Sequence, residues 1–267
     1  MPQETSNVMS TYEIIATVIA VIALIQPWAI KLWNTLFKKL KITFIPSGKF
    51  KLFYNRSGAY VQIGGVIEAK NQSVVVRDIS AKITRLSDNA ELKLDWSSFN
   101  TPVFQNVAGN IVTTTETARP FKVKANDLSP IFVEFANIDD IFLNQLAEIH
   151  NSLMGRARTI AGPTIPLENA RYNFRTTPEY QKAKEELLES FYWKVSQYVL
   201  RISVHYGDDA IKDFSYKFSL DQAEIAELRK DIERAMDCAI DNLYGQTPIF
   251  YYPSKDYVEV ENSYANT

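Results

Sequence analysis

Residues 41–54 read KITFIPSGKFKLFY, and the spacing of their apolar side chains decides the fold class. Ile42 and Phe44 alternate with Lys41 and Thr43, and after the turn Pro46-Ser47-Gly48 the alternation resumes at Phe50, Leu52 and Tyr54. A period of two puts successive side chains on opposite faces of an extended strand. The pattern continues with Val61, Ile63 and Ile67 against Gln62 and Glu68, then Ile79, Ala81 and Ile83 against Asp78, Ser80 and Lys82. Leu92, Leu94 and Trp96 oppose Glu91, Lys93 and Asp95 in the same way. Half-buried antiparallel strands alternate like this, and the turn residues at 55–58, 71–73 and 87–89 suit a meander or Greek key. The expected class is mainly β with α additions: an antiparallel β-sandwich, immunoglobulin-like in broad architecture, whose first part occupies residues 42–137. Weaker strands are expected near 103–114, 120–124 and 131–136.

Further on, the period becomes helical after Asp139-Asp140, with Ile141, Leu143, Leu146, Ile149 and Leu153 on one side. Gly155, Gly162, Pro163, Pro166 and Pro178 then read as a linker, and Thr177-Pro178 opens a short charged helix to Phe191. Residues 138–190 are therefore expected to form a helical and linker insertion. Residues 191–220 read as a hairpin, because Tyr198, Leu200, Ile202, Val204 and Tyr206 lead through Gly207-Asp208-Asp209 to Phe214, Tyr216 and Phe218. A lone hairpin is marginal in water, so this one is expected to complete the sandwich. Over residues 221–244, Asp221 caps a helix with Ile225, Leu228, Ile232, Ala235, Ala239 and Leu243 on one stripe and Gly245 as its stop. That stripe packs on the domain or on a partner. The stretch 245–267 interleaves Tyr251, Tyr252, Tyr257 and Tyr264 with acids and reads as an extended strand or a partner-binding segment.

Upstream of the strands, residues 14–30 hold 17 residues without a charge. Tyr12 to Trp33 covers about 33 Å as a helix, with Tyr12 at one end and Trp28 and Trp33 at the other, as interfacial rings require. The membrane anchor is assigned to residues 12–30, with Tyr12, Ile14, Ile25, Trp28 and Trp33 as its marker residues. A secretory signal is disfavoured, since residues 1–13 contain Glu4 and Glu13 and no Lys or Arg. Residues 31–51 hold six lysines and no acid. Lys31, Lys38, Lys39 and Lys41 form a basic juxtamembrane stretch, residues 31–41, suited to anionic headgroups, either as an interfacial helix or as a prolongation of the span. The positive-inside rule leaves residues 1–11 outside and places the soluble part in the cytoplasm.

The 267 residues carry 29 Lys plus Arg and 31 Asp plus Glu. The body is neutral, with 19 of each sign over 52–220, and 221–267 is acidic, with 4 basic and 10 acidic residues. No basic stripe with interleaved aromatics crosses the strands, so nucleic acid is not an expected partner. Arg156, Arg158, Arg171 and Arg175 read as a solvated linker set. One cysteine, Cys238, and two histidines, His150 and His205, supply neither a thiolate metal cluster nor a triad, and no phosphate-cradling glycine loop is present. His150 suits the end of its helix and His205 a strand surface. No catalytic residue, metal ligand or cofactor is assigned.

These readings point to a membrane-anchored cytoplasmic protein-binding or scaffolding module that is not an enzyme, with Ile225, Leu228, Ile232, Tyr251, Tyr252 and Tyr257 as partner-contact residues. The alternatives are a membrane-acting subunit that oligomerises through its span, where Thr17 and Gln26 are the polar contacts, and a hydrolase with dispersed catalytic groups. The expected partners are the anionic bilayer, a protein, and a second copy of the chain. A cysteine introduced into the soluble part should react with a membrane-impermeant maleimide only after intact cells are lysed. Labelling without lysis reverses the orientation.

Overall fold

The computed structural model describes residues 10–37, 39–55, 58–107 and 110–260. Helix α1 (Thr11–Phe37) precedes the strands β1 (Lys41–Asn55), β2 (Gly58–Lys70), β3 (Val74–Arg85), β4 (Glu91–Val107), β5 (Asn110–Thr117), β6 (Phe121–Val123) and β7 (Leu128–Ala136). Three helices follow, α2 (Asp140–Ile160), α3 (Leu167–Arg175) and α4 (Pro178–Glu189), then β8 (Ser196–Tyr206), β9 (Ala210–Leu220), α5 (Gln222–Asp241), β10 (Ser254–Asp256) and β11 (Val258–Val260).

All 11 strands join one sheet in the order β10-β1-β2-β7-β4-β3-β8-β9-β11, with β5 on β4 and β6 on β3. Every named strand pair is antiparallel. This single, nearly closed, barrel-like sheet takes the place of the two stacked sheets expected from the alternation. Alternation reports that one face is buried; it does not report whether that face meets a second sheet or the inside of its own sheet curled round. Irregularities help the curl, with register shifts in β1 between Pro46 and Phe50, in β3 between Val76 and Asp78, and in β4 between Trp96 and Ser98. Gly65 allows the β1 bend: a Cβ there would lie 2.5 Å from the Phe44 ring and 2.7 Å from the Ile45 carbonyl oxygen.

Closure brings β1 against β9. Phe50 meets Phe218 edge to face at 4.8 Å between centroids, and Phe44 meets Phe214 at 5.9 Å. Residues 254–260 seal the remaining gap, since β10 pairs with β1 and β11 with β9. Tyr257 sits between the two pairings, with its ring 5.0 Å from that of Tyr216 and 6.0 Å from that of Phe50. Its hydroxyl accepts the Gly48 N–H at 3.0 Å. The aromatic stretch is thus a strap on the barrel, and Tyr257 is part of the seam.

Hairpin β8–β9 joins the sheet through β3, with Ile79 opposite Val204 and Ile83 opposite Leu200. The helices between β7 and β8 form a layer on α5, which also packs on β1. Local signals set their ends: the Asp139 side chain accepts the Phe142 N–H, Thr177 caps α4 with Pro178 in its first turn, and Asp221 and Glu224 form a reciprocal capping box on α5. The linker expected from Gly155 onward is instead helix on both sides of a short break. Nothing lies within 4 Å of a Cβ built at Gly155, so α2 continues through it, and Pro163 and Pro166 fall in the gap before α3. The two strands expected near 92–96 and 103–114 are one long β4 that turns back into β5. Leu243 leaves the α5 stripe: it follows the helix in a 3-10 turn and is 41% exposed.

Tyr257→Ala removes the seam ring and the acceptor for Gly48, and should lower stability by about 2–3 kcal/mol in denaturant unfolding. Tyr257→Phe keeps the ring and should cost about 1 kcal/mol.

Candidate functional site

Helix α1 carries the strongest functional signal. Within Thr11–Trp33 the most apolar 18 residues have a mean hydropathy of 2.0, and none of them is buried inside the fold. Ile14, Ile25 and the rings of Tyr12, Trp28 and Trp33 are all exposed. The helix runs unbroken past Pro27 to Phe37, so the basic stretch from residue 31 prolongs it and forms no separate helix up to that point. A proline in a helix removes one backbone hydrogen bond, which a lone exposed helix can lose without disturbing a packed neighbour. Lys31, Lys39 and Lys41 are exposed, and Lys38 lies outside the described residues. The Asn71 side chain donates to the Lys39 carbonyl at 2.9 Å, which holds the chain leaving the helix against the turn after β2.

The residues assigned to a partner fall elsewhere. Ile225, Leu228 and Ile232 are 2%, 0% and 0% exposed, because the α5 stripe packs on this chain's own sheet and helices. They offer no outward face. The Tyr251 N–H donates to the Asp231 carboxylate, and the Tyr252 ring meets Phe53 at 5.4 Å. With Tyr257 in the seam, these tyrosines fasten the strap, and Tyr252, half exposed, keeps the largest free surface of the three.

The arginine set lies on helices and not in a linker, with Arg156, Arg158 and Arg175 exposed as expected. Arg156 and Arg158 lie on α2, while Arg171 and Arg175, one turn apart on α3, face Asp241 and Asp237, one turn apart on α5. Arg171 Nε donates to Asp241 at 2.7 Å. Arg175 grips Asp237 through both Nε and Nη2, and the Tyr180 hydroxyl donates to the same carboxylate at 3.3 Å. The hydrogen bond to Asp237 holds the Arg175 guanidinium more firmly protonated, while burial and then the Asp237 charge push the Tyr180 phenol up. Asp231 is raised from the usual carboxylate range, because burial outweighs its bonds to Arg234 and the Tyr251 N–H.

Two recesses open between these elements. A small, mainly apolar cavity of about 20 Å³ lies where α2, α4 and α5 meet β1. Leu146, Leu153, Leu187 and Met236 line it beside Tyr54 and His150. Burial pushes the Tyr54 phenol up to about 12, so it stays protonated at neutral pH, and its hydroxyl has no hydrogen-bond partner among the described residues. His150 is mid-helix and faces this cavity; it does not sit at the helix end. The second recess is an open cleft of about 810 Å³ between α2 and α4, with Glu148, Glu179, Lys182 and Glu186 around Ile149 and Ala183. Arg156 faces Glu179 at 3.6 Å, and Lys182 faces Glu186 at 3.7 Å.

Among the described residues, no group of three His, Cys, Asp or Glu side chains is placed to hold a metal ion. Cys238 is buried in α5. Comparison with protein-family models, with curated proteins and with solved structures found no match.

Sequence reasoning missed the paired ladder between α3 and α5, although its signal was present as matched four-residue spacings, Arg171 to Arg175 and Asp237 to Asp241. Arg175→Ala strands a buried carboxylate and should cost on the order of 3 kcal/mol in denaturant unfolding. Adding Asp237→Ala should recover part of that loss, giving a clear coupling in the double-mutant cycle.

Proposed function

We propose that the chain is a single-pass membrane protein, amino terminus outside, that holds its β domain in the cytoplasm as a binding or scaffolding module for another protein. The observation that carries this reading is α1, an apolar helix of spanning length with no burial in the fold, followed directly by lysines. A soluble protein would leave that surface in water at a large free-energy cost. The open cleft between α2 and α4 supports the choice of a protein partner. Its rim holds three glutamates, two of them facing Arg156 and Lys182, so a small net negative charge beside Ile149 and Ala183 suits a basic, partly apolar segment. The recess at Tyr54, chiefly carbon with Tyr54 and His150 as its polar members, has room for little more than a water and gives no support to a hydrolytic pocket.

A second reading, self-assembly through the span, has its own observation. The Thr17 hydroxyl donates to the Glu13 carbonyl within the helix at 2.8 Å. That leaves the exposed Gln26 as the polar side chain that a second copy could engage. Gln26→Leu would then reduce self-association.

Cross-linking in intact cells followed by purification of the full chain decides between the two. A stoichiometric second protein, with recovery lowered at least about tenfold by Glu148→Lys together with Glu186→Lys, is the expected result. Recovery of self-cross-linked multimers alone, lost with Gln26→Leu, transfers the function to the membrane assembly.

A further inference from the structure

We infer that the end of the barrel nearest α1 is a second membrane-contact surface, built to seat on anionic lipid headgroups; this rests on α1 being inserted. Antiparallel register brings to that end the start of β1, the end of β2, the starts of β3 and β7, the end of β6, the β8–β9 turn, and the end of β4 with the start of β5, which reach past the start of β7. Cross-links fasten this rim together. The Asn126 N–H donates to the Ala69 carbonyl at 2.7 Å, and the Gly207 N–H to the Val75 carbonyl at 3.1 Å. It is therefore a stiff platform, not a set of loose loops.

Three aliphatic side chains stand out from it: Leu128 at 58% exposed, Ile211 at 57% and Val75 at 43%. Exposed lysines surround them, with Lys39, Lys41 and Lys70 on one side and Lys122, Lys124 and Lys212 on the other. The carboxylates of the rim are Glu68, Asp78, Asp127, Asp208 and Asp209, five against the six lysines and Arg77. Glu68 faces Lys70 at 3.3 Å, while Arg77 faces Asp208 at 3.4 Å and Asp209 at 3.6 Å, so three of the five have a cation beside them. The net field is positive, and aliphatic tips within a lysine ring match the boundary between headgroups and acyl chains.

Tether length forces the encounter. Four residues of helix separate Trp33 from Phe37, about 6 Å, and the steps to Lys41 add at most about 14 Å. The headgroup layer itself takes up about 5–7 Å of this. The rim thus stays where lysine side chains reach an anionic surface despite screening over about 8 Å.

The test uses the full chain reconstituted in phosphatidylcholine vesicles with and without phosphatidylserine. Leu128→Cys, in a Cys238→Ala background, carries an environment-sensitive fluorophore; Leu86→Cys, just past the other end of β3, is the control. Emission at position 128 should shift to the blue only in the phosphatidylserine vesicles and return in high salt, with position 86 unchanged. Lys122→Ala with Lys124→Ala should lower the docked-to-undocked ratio about twenty-five-fold, roughly fivefold per lysine. If carbonate washing leaves the chain in the vesicles but position 128 reports water as position 86 does, the rim contact is wrong while the anchor stands. If carbonate strips the chain off, α1 does not span, and both readings fall.

Discussion

The structure depends on the meeting of β1 and β9. Nothing in the hydrogen-bond ladder forces its first and last long strands together; rings do, with Phe44 and Phe50 turned edge-on to Phe214 and Phe218 across the interior. Once that contact is made, two open strand edges remain, each a row of unsatisfied backbone groups and a template for pairing with another chain. Residues 254–260 answer both edges with three pairs on each side. The strap is itself held by α5, through the Lys255 ammonium on Glu224 at 2.6 Å and the Asp231 carboxylate under the Tyr251 amide. Barrel, strap and helical layer therefore stand together.

Helix α5 is the element that lets this happen, because it faces two ways. Its stripe of Ile225, Leu228 and Ile232 sits in the apolar core, while Asp231, Asp237 and Asp241, also nearly fully buried, face arginines. Burying carboxylates is expensive unless each has a cation and further donors, and here each has a cation, with a tyrosine hydroxyl or a backbone amide added at Asp237 and Asp231. Such pairs add little net stability compared with apolar packing, but they forbid other registers. A one-turn slip of α3 along α5 would break both rungs at once.

How much of this the sequence discloses varies with the range of the interaction. Period-two alternation gave β1 to β3 and the β8–β9 hairpin, and caps at Asp139, Thr177 and Asp221 gave helix starts, since these depend on neighbours a few residues away. Barrel closure was not legible, because Phe50 and Phe218 look the same in sequence whether they fill a sandwich or a curled sheet. The Gly155–Pro178 stretch was misread as linker because breakers were counted without asking whether each lies at a helix end. For the candidate site, the apolar span was plain from composition. The partner residues on α5 were not, since an apolar stripe shows that a helix face is covered and not by what.

The strap also orders events in time. Residues 254–260 are translated after every other described element, yet they complete pairings with β1, some two hundred residues earlier. Helix α1 leaves the ribosome first and can be in the bilayer while β1 still lacks its outer neighbour. With α1 inserted as proposed, the growing domain would spend its synthesis tethered to a membrane with a strand edge uncovered, and long-range pairings of this kind form slowly. On that reading membrane delivery precedes the completion of the fold, and anything that holds the unfinished domain, chaperone or lipid, would work at the bilayer surface and let go when residues 254–260 arrive.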